Sequence, residues 1–221
     1  SGGEYLFYFL LLFKRTKNMH FLLRLKKALG AFIHYYIRPN PSKFGHYGKN
    51  TSIARPCDLK KPGNIFLYDF VRIGPKSNIM TSGRGKFIMK QGCLCSENLV
   101  VVTSNHRQHI GEYLNSNNED AVYGDIVVEE DVWIGVNVTL LAGICVGRGA
   151  IIGACSVVTK DIPPYSIAVG NPAKVVKLKW TIDEIIAHEK KLYAEEQRFT
   201  RQQLEEIRNS VTLKDLPVTK G

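Results

Sequence analysis

Aliphatic side chains recur every six residues over much of the second half of the chain. One row consists of Val128, Ile134, Leu140, Val146, Ile152 and Val158, and a second, apolar or small throughout, of Val132, Val138, Ile144, Ala150, Ser156 and Ile162. An α-helix repeats about every 3.6 residues and a β-strand every two, so neither element alone gives this period. Shorter rows with the same spacing lie upstream: Ile53, Leu59, Ile65 and Val71; Leu67, Ile73 and Ile79; and, after a register shift at Ser82-Gly83-Arg84-Gly85, Ile88, Leu94 and Val100.

This period predicts a mainly β fold, a parallel β-helix with very short strands. Three hexads make one triangular coil, so every sixth residue points into a narrow interior and stacks on its counterpart in the next coil. Backbone groups pair between coils as in a parallel sheet, and the Gly, Asn, Ala and Ser residues between the rows suit the corners. A solenoid exposes its two ends, and these need caps.

Three segments follow from the pattern. We expect a basic, aromatic-rich helical segment over residues 1–47, the β-helix over 48–180 with an excursion at 105–124, and helices with a tail over 181–221. In the last segment, Thr181 with Glu184 and Thr200 with Gln203 match the capping-box pattern of helix starts. The apolar residues predicted to pack there are Ile185, Ile186, Leu192, Leu204 and Ile207.

The net charge of +10 lies in the first quarter of the chain, where residues 1–61 contain 12 Lys and Arg against Glu4 and Asp58. The apolar run from Leu6 to Phe13 is too short to span a bilayer. One face of a predicted helix carries Phe21, Leu25, Ala28, Leu29, Phe32, Ile33 and Tyr36. A basic amphipathic helix of this kind suits an anionic membrane surface, here through residues 1–40, or it packs on its own protein or a neighbouring subunit. No recognised nucleic-acid module accompanies the charge, so nucleic-acid binding is not expected.

The five cysteines form no CxxC pair and lie in apolar segments. We interpret Cys57, Cys93, Cys95, Cys145 and Cys155 as small buried thiols in a reducing compartment. A cytoplasmic protein is therefore predicted, either free or peripheral at the inner face of the membrane.

Residues 48–180 resemble the hexapeptide-repeat acyltransferases, including the maltose, galactoside and streptogramin O-acetyltransferases and those of surface-polysaccharide gene clusters. The most specific motifs are Asp131-Val-Trp133-Ile-Gly135, Val157-Val-Thr159-Lys160-Asp161 and Gly170-Asn171-Pro172-Ala173-Lys174. Ser104-Asn105-His106-Arg107 is similar to the catalytic-loop motif of the streptogramin branch. The resemblance implies a left-handed β-helix, a homotrimer with active sites between subunits, and acetyl-coenzyme A as the donor.

His106 is the predicted general base. Transfer of an acetyl group from a thioester to a hydroxyl requires removal of a proton from an alcohol, and an imidazole, with an ordinary pKa of about 6.5, is available for this at neutral pH. The thiolate leaves as a comparatively stable anion, so no acyl-enzyme is required. A metal site with His106 and His109, as in the γ-class carbonic anhydrases of this fold, would need a third histidine and a spacing of five, so no metal is expected.

The other predicted site residues follow from the resemblance and from the excursion at 105–124, which can wall off a cleft that flat solenoid faces lack. Asn105, Tyr113 and Trp133 are the predicted acceptor contacts. A backbone N–H near Ala142 or Gly143 suits the developing oxyanion. The donor is expected along small residues and polar groups near the end of the solenoid: Ala142, Gly143, Ala154, Thr159, Lys160, Asn171 and Lys174.

The function expected is an acetyl-coenzyme A-dependent O-acetyltransferase acting on a sugar hydroxyl, in a surface polysaccharide or a lipid-linked glycan precursor. A streptogramin-type antibiotic acetyltransferase is the alternative enzyme. A non-catalytic solenoid scaffold is the alternative of another class.

Overall fold

The computed structural model describes residues 19–37, 40–113 and 121–212. It divides into two compact units, one ending at Pro39 and one beginning at Asn40. The apolar run from Leu6 to Phe13 lies outside the described residues.

The first unit contains helix α1, Met19–Tyr36. It has no acidic residue and carries Arg24, Lys26 and Lys27. The apolar side chains predicted to share one face include Phe21, Phe32 and Tyr36, each about half exposed (45%, 54% and 52%). In the part of the chain described here, no helix is both long and apolar enough to cross a membrane.

The second unit is a parallel β-helix with three faces, which we name sheets A, B and C. Sheet A contains β1 (His46–Tyr47), β4 (Ile65–Leu67), β7 (Phe87–Met89), β12 (Ile126–Val128) and β15 (Cys145–Val146). Sheet B contains β2 (Ser52–Ile53), β5 (Arg72–Ile73), β8 (Leu94–Cys95), β13 (Trp133–Ile134), β16 (Ile151–Ile152), β18 (Ser166–Val169) and the antiparallel β19 (Lys174–Leu178). Sheet C contains β3 (Asp58–Lys60), β6 (Asn78–Met80), β9 (Val100–Val102), β14 (Thr139–Leu141) and β17 (Val157–Val158). A separate antiparallel hairpin is formed by β10 (Ser104–His106) and β11 (Ala121–Tyr123).

The interior consists of the predicted hexad rows. Every member of the row from Val128 to Val158 is fully buried, and the second row is at most 4% exposed. The upstream rows beginning at Ile53 and Leu67 are buried as well. These aliphatic side chains are removed from water on all sides, which is the main source of stability in such a narrow core.

The third upstream row was predicted in the wrong register. Leu94 is 47% exposed, and Ile88 and Val100 are partly exposed on the outer faces. The interior of this coil is filled instead by Phe87, Met89, Cys93, Cys95, Leu99 and Val101. An all-aliphatic outer row therefore resembled an inner one, because the true inner positions include aromatic and sulfur-containing residues.

In the described coils, residues in addition to the three hexads are found at one corner only. Val127 pairs with Cys145, eighteen residues along the chain, so this coil has three hexads as predicted. The steps from His46 to Phe66, Phe66 to Ile88 and Ile88 to Val127 are longer, at twenty, twenty-two and thirty-nine residues. All of the extra residues lie between a strand of sheet C and the next strand of sheet A. We call this edge the insertion corner; of the described residues it comprises 61–64, 81–86, 103–113, 121–125, 142–143 and 159–161.

Two helices cap the C-terminal end, α2 (Ile182–Leu192) and α3 (Arg201–Thr212). Both capping boxes are confirmed: Thr181 and Glu184 bond reciprocally, and so do Thr200 and Gln203. Ile185 and Leu204 are buried in a cluster with Tyr165, and Ile186 and Ile207 pack against it. The prediction for Leu192 was wrong, because this side chain is 58% exposed.

The cysteine prediction is correct for three of the five residues. Cys57, Cys93 and Cys95 are buried, and burial raises the pKa of Cys93 to about 12. Cys145 is only partly buried, and Cys155 is exposed. Cys155 occupies a corner with left-handed backbone (φ of 59°), a position that directs its side chain out of the core.

Candidate active site

His106 lies on a hairpin that projects from the insertion corner. The hairpin pairs Ser104 with Tyr123, Asn105 with Val122, and His106 with Ala121. His106 is exposed, and its backbone N–H donates to Oδ1 of Asn105 at 2.9 Å. Because side chains alternate across a strand, His106 shares a face of the hairpin with Ser104, Ala121 and Tyr123, and Asn105 lies on the opposite face. Tyr113, in the loop beyond, is 90% exposed.

The base of the hairpin is bonded to the preceding insertion. Ser82 N–H donates to Thr103 Oγ1 at 3.1 Å, and the hydroxyls of Ser82 and Ser104 are hydrogen bonded. Asn64 in turn donates to the carbonyl oxygens of Gly83 and Gly85 at 3.2 and 3.1 Å. The successive insertions therefore form one hydrogen-bonded edge, and this edge fixes the position of strand β10 along the solenoid axis.

On its other side, the hairpin base packs on Ala142 and Gly143. A Cβ at Gly124 would lie 2.5 Å from the Gly143 nitrogen and 2.8 Å from its Cα. Gly143 has a φ of 80° and is exposed, with open space where a Cβ would project. One coil further, Thr159 and Lys160 are exposed at the same corner, and Asp161 accepts a hydrogen bond from the Cys145 N–H at 2.8 Å.

The contact between Gly124 and Gly143 gives a testable prediction. We expect Gly124→Ala to reduce the free energy of unfolding by about 1–3 kcal/mol, since the new methyl group meets backbone atoms that cannot rotate away. Chemical denaturation of purified protein measures this. Gly63→Ala is the matched control at the same corner, where the nearest atom to a Cβ is the Lys43 carbonyl oxygen at 3.9 Å. Equal midpoints for the two variants would contradict the assigned packing.

The insertion corner of one subunit thus brings together Asn105, His106, Ala142, Gly143, Thr159 and Lys160. Ala154, Asn171 and Lys174 are also exposed, but they lie at or near the corner between sheets B and C. Trp133 is 49% exposed on the outer side of sheet B, between Leu94 and Ile151 in the ladder. Within one subunit these four residues are on other parts of the solenoid than His106.

The turn of residues 81–86 was not predicted to be part of the site. Arg84 and Tyr123 line a cleft beside the hairpin, and neither was predicted as a site residue. The available signal was the Ser82-Gly83-Arg84-Gly85 cluster, which was interpreted only as a register shift. Within residues 19–37, 40–113 and 121–212, no group of three or more His, Cys, Asp or Glu is arranged to hold a metal ion.

Comparison with known proteins gives concordant results. Residues 125–160 match the bacterial transferase hexapeptide family (six repeats). A chloramphenicol acetyltransferase of Agrobacterium fabrum is 43% identical over 76 residues, 34% of this chain and 36% of that protein. A Staphylococcus aureus protein described as an acetyltransferase is 36% identical over 128 residues, 58% of this chain and 62% of that protein. The chain thus spans between about one third and two thirds of the length of these relatives.

Solved structures are similar over more of the chain. A maltose O-acetyltransferase from Clostridium difficile is 28% identical with a TM-score of 0.53, over 62% of this chain and 71% of that one. A hexapeptide-repeat acetyltransferase from Vibrio cholerae, complexed with acetyl-coenzyme A, is 21% identical with a TM-score of 0.61, over 76% and 92%. A galactoside acetyltransferase in complex with coenzyme A is 21% identical with a TM-score of 0.59, over 80% and 88%.

The six-residue repeat and the three-faced solenoid are similar to those of hexapeptide-repeat proteins, and the predicted left-handed parallel β-helix is confirmed as the fold class. The predicted resemblance to the hexapeptide-repeat acyltransferases is confirmed as well. The relatives and structural neighbours named above are acetyltransferases.

Proposed function

We propose that this protein is an acetyl-coenzyme A-dependent O-acetyltransferase in which His106 is the general base. The observation that carries the proposal is the hairpin at the insertion corner, which presents an exposed imidazole one coil from the small, open backbone of Ala142 and Gly143. Relatives with acetyltransferase activity in their names support the reaction type.

Bound acetyl-coenzyme A supplies an acetyl group activated as a thioester. The residues of the insertion corner fit such a donor, because Gly143 leaves room for an extended arm and Thr159 and Lys160 present polar groups one coil further. His106 accepts the proton of the acceptor hydroxyl as its oxygen forms a bond to the acetyl carbonyl carbon; the carbon–sulfur bond of the thioester then breaks and coenzyme A leaves as the thiolate. A backbone N–H of Ala142 or Gly143 is the proposed donor to the developing oxyanion.

A homotrimer would complete this site. Ala154, Asn171, Lys174 and Trp133 lie away from His106 in one subunit, so their predicted contacts with donor and acceptor require a neighbouring subunit. Leu94 and Trp133 form an exposed apolar strip on sheet B, at 47% and 49% exposure, which favours burial against another copy. The site would then lie between two subunits.

The proposed acceptor is a sugar hydroxyl of a surface polysaccharide or a lipid-linked glycan precursor. The maltose and galactoside acetyltransferases among the structural neighbours support a sugar. A second candidate is acetylation of an antibiotic, favoured by the local identity of 43% to a chloramphenicol acetyltransferase.

Release of free thiol from acetyl-coenzyme A tests the function. Full-length protein is incubated with panels of sugars, glycan precursors and hydroxylated antibiotics, and acetylated products are identified by mass spectrometry. We expect acceptor-dependent thiol release with at least one sugar. Thiol release only with antibiotics would favour the second candidate, and none with any acceptor would leave the scaffold alternative.

Association with the cytoplasmic face of the membrane is a further part of the proposal. Helix α1 has three basic residues, no acidic residue and exposed aromatic side chains. Such a helix can insert its apolar side chains among anionic lipid headgroups while its basic residues remain near the phosphates.

Liposome flotation tests this association. We expect the full chain to float with vesicles containing anionic lipid, and to do so less at high salt or with neutral vesicles. Lys26→Glu with Lys27→Glu should reduce flotation, with Lys190→Glu and Lys191→Glu as a control of equal charge change in α2. Equal flotation of the two double variants would reject a contribution from α1.

A further inference from the structure

A cleft of about 370 Å³ lies at the insertion corner, between the turn of residues 81–86 and the hairpin. Its walls include Arg84, Arg107, Ala121, Tyr123 and Asp125. Ala121 is the cross-strand partner of His106, and Tyr123 projects from the same face of the hairpin as His106. The lining also includes Val122, from the opposite face of the hairpin, and does not include His106, so the cleft lies along the edge of the hairpin next to the proposed general base.

Arg84 is held at this cleft by the glycines on both sides of it. Gly83 has a φ of 55°, and a Cβ there would overlap the Tyr123 ring. A Cβ at Gly85 would lie 2.6 Å from the Thr103 carbonyl oxygen. The turn is thus pressed against the base of the hairpin, and the one side chain of Gly83-Arg84-Gly85 is directed outward, where it is exposed.

The cation that the cleft offers to a ligand is the Arg84 guanidinium. Arg107 also lines the cleft but has another interaction partner, and the Asp125 carboxylate accepts a hydrogen bond from the Lys86 N–H at 2.8 Å. Arg84 makes no hydrogen bond or ion pair with the described residues. The Lys86 ammonium lies over the Phe66 ring, 5.6 Å from its centroid. Guanidinium groups recognise carboxylate and phosphate oxygens through paired, charge-assisted hydrogen bonds.

We propose that this cleft binds an anionic group of the acceptor, the carboxylate of an acidic sugar or the phosphate of a sugar phosphate, with Arg84 as its principal ligand. The inference rests on the proposed acetyltransferase function and specifies its acceptor. Binding of the anion at Arg84 would orient a neighbouring hydroxyl of the same sugar towards His106, the last residue of strand β10. Arg84 is thus a specificity-determining residue.

The donor's own phosphates are a less suitable occupant of the cleft. The turn of residues 81–86 lies on the N-terminal side of the hairpin, whereas Gly143, Thr159 and Lys160 lie on its C-terminal side. The hairpin separates the two sets along the solenoid axis. A donor lying along Gly143 and Lys160 would approach His106 from the side opposite to Arg84.

Paired acceptors test the proposal. Thiol release is measured with a glucuronide and its matched glucoside, a galacturonide and its galactoside, and glucose 1-phosphate. For the acidic acceptors we expect a kcat/KM at least about tenfold above that for the neutral partners, at low salt. Arg84→Gln should remove this preference, mainly by raising KM for the acidic acceptors. Arg84→Lys should keep only part of the preference, because its ammonium group retains the positive charge but cannot form the paired contact. Arg208→Gln, an exposed arginine of α3, is the control and should leave the ratio unchanged.

Two further measurements separate this inference from the proposed function. Saturation-transfer NMR detects D-glucuronate bound to the protein without turnover, and we expect its signal to be strong with wild type and weak with Arg84→Gln. For coenzyme A, and likewise for dephospho-coenzyme A, the dissociation constant should be the same with wild type and with Arg84→Gln. Acetylation of neutral sugars with an unchanged acidic-to-neutral ratio in Arg84→Gln would overturn the inference and leave the function intact. Absence of a D-glucuronate signal with wild type, or weaker coenzyme A binding by Arg84→Gln, would also overturn it.

Discussion

Replacing His106 with alanine is expected to lower kcat for acetyl transfer by about 10²–10⁴-fold, the usual contribution of a positioned general base. The hairpin is held by backbone pairing and by the Ser82 and Thr103 contacts, none of which involves the imidazole. The variant should therefore fold normally and bind acetyl-coenzyme A with little change. Steady-state thiol release with a productive acceptor gives kcat, and equilibrium binding gives the dissociation constant of the donor.

His109→Ala is the matched control, since it removes a second exposed histidine three residues further along the same loop. We expect this variant to keep activity within a few-fold of wild type. A loss of similar size in both variants would mean that the loop, and not one imidazole, is required. Unchanged kcat in His106→Ala would remove the general-base assignment while leaving the fold and the donor groove in place.

The core of the solenoid was predictable because its pattern is strictly periodic. Each coil repeats the same inward positions, so the row from Val128 to Val158 is recognisable without any knowledge of the fold. Prediction was wrong at residues 88–100, where the insertion of residues 81–86 changes the phase and Phe87, Cys93 and Leu99 replace an aliphatic row. Periodicity defines the inner positions only as long as no corner changes length.

The candidate site was predictable only in part, for a related reason. His106 is recognisable because its motif interrupts a strand, and Gly143 because it continues the repeat. Arg84 and Tyr123 are thirty-nine residues apart, and only the stacking of successive insertions at one corner brings them to the same cleft. Contacts of this kind depend on the lengths of the insertions and carry no local signal.

The C-terminal cap contains a buried carboxylate, that of Glu189, at a helix position where periodicity predicts an apolar side chain. Glu189 follows Ile185 by four residues and therefore lies on the apolar face of α2, where it is 1% exposed. Its Oε1 accepts hydrogen bonds from the Tyr165 hydroxyl at 2.8 Å and Arg148 Nη1 at 3.2 Å, and its Oε2 accepts from the Phe199 N–H at 2.6 Å. Burial, followed by the hydrogen bond to Glu189, raises the pKa of Tyr165 well above its ordinary value.

Arg148 connects this carboxylate to the β-helix. Its guanidinium bonds to Glu130 Oε2 at 3.3 Å and to the Gln197 carbonyl oxygen at 2.9 Å, and it stacks over the Tyr193 ring with 4.1 Å to the centroid. Glu130 and Arg148 belong to successive coils, whereas Glu189 and Tyr193 belong to the cap. One carboxylate and one guanidinium therefore join the last two coils to the helices.

Replacing Glu189 with alanine is expected to lower the free energy of unfolding by about 2–4 kcal/mol, since it leaves the Tyr165 hydroxyl and the Phe199 N–H without their acceptor and the Arg148 guanidinium with one acceptor fewer. Denaturant titration measures the loss. Tryptic cleavage after Lys190 and Lys191 should also accelerate, because the cap would open before the solenoid unfolds. Glu196→Ala, an exposed glutamate in the same cap, is the control and should behave as wild type. If Glu189→Ala unfolds at the wild-type midpoint and resists trypsin equally, apolar packing around Tyr165 and Ile185 holds the cap without the ionic network.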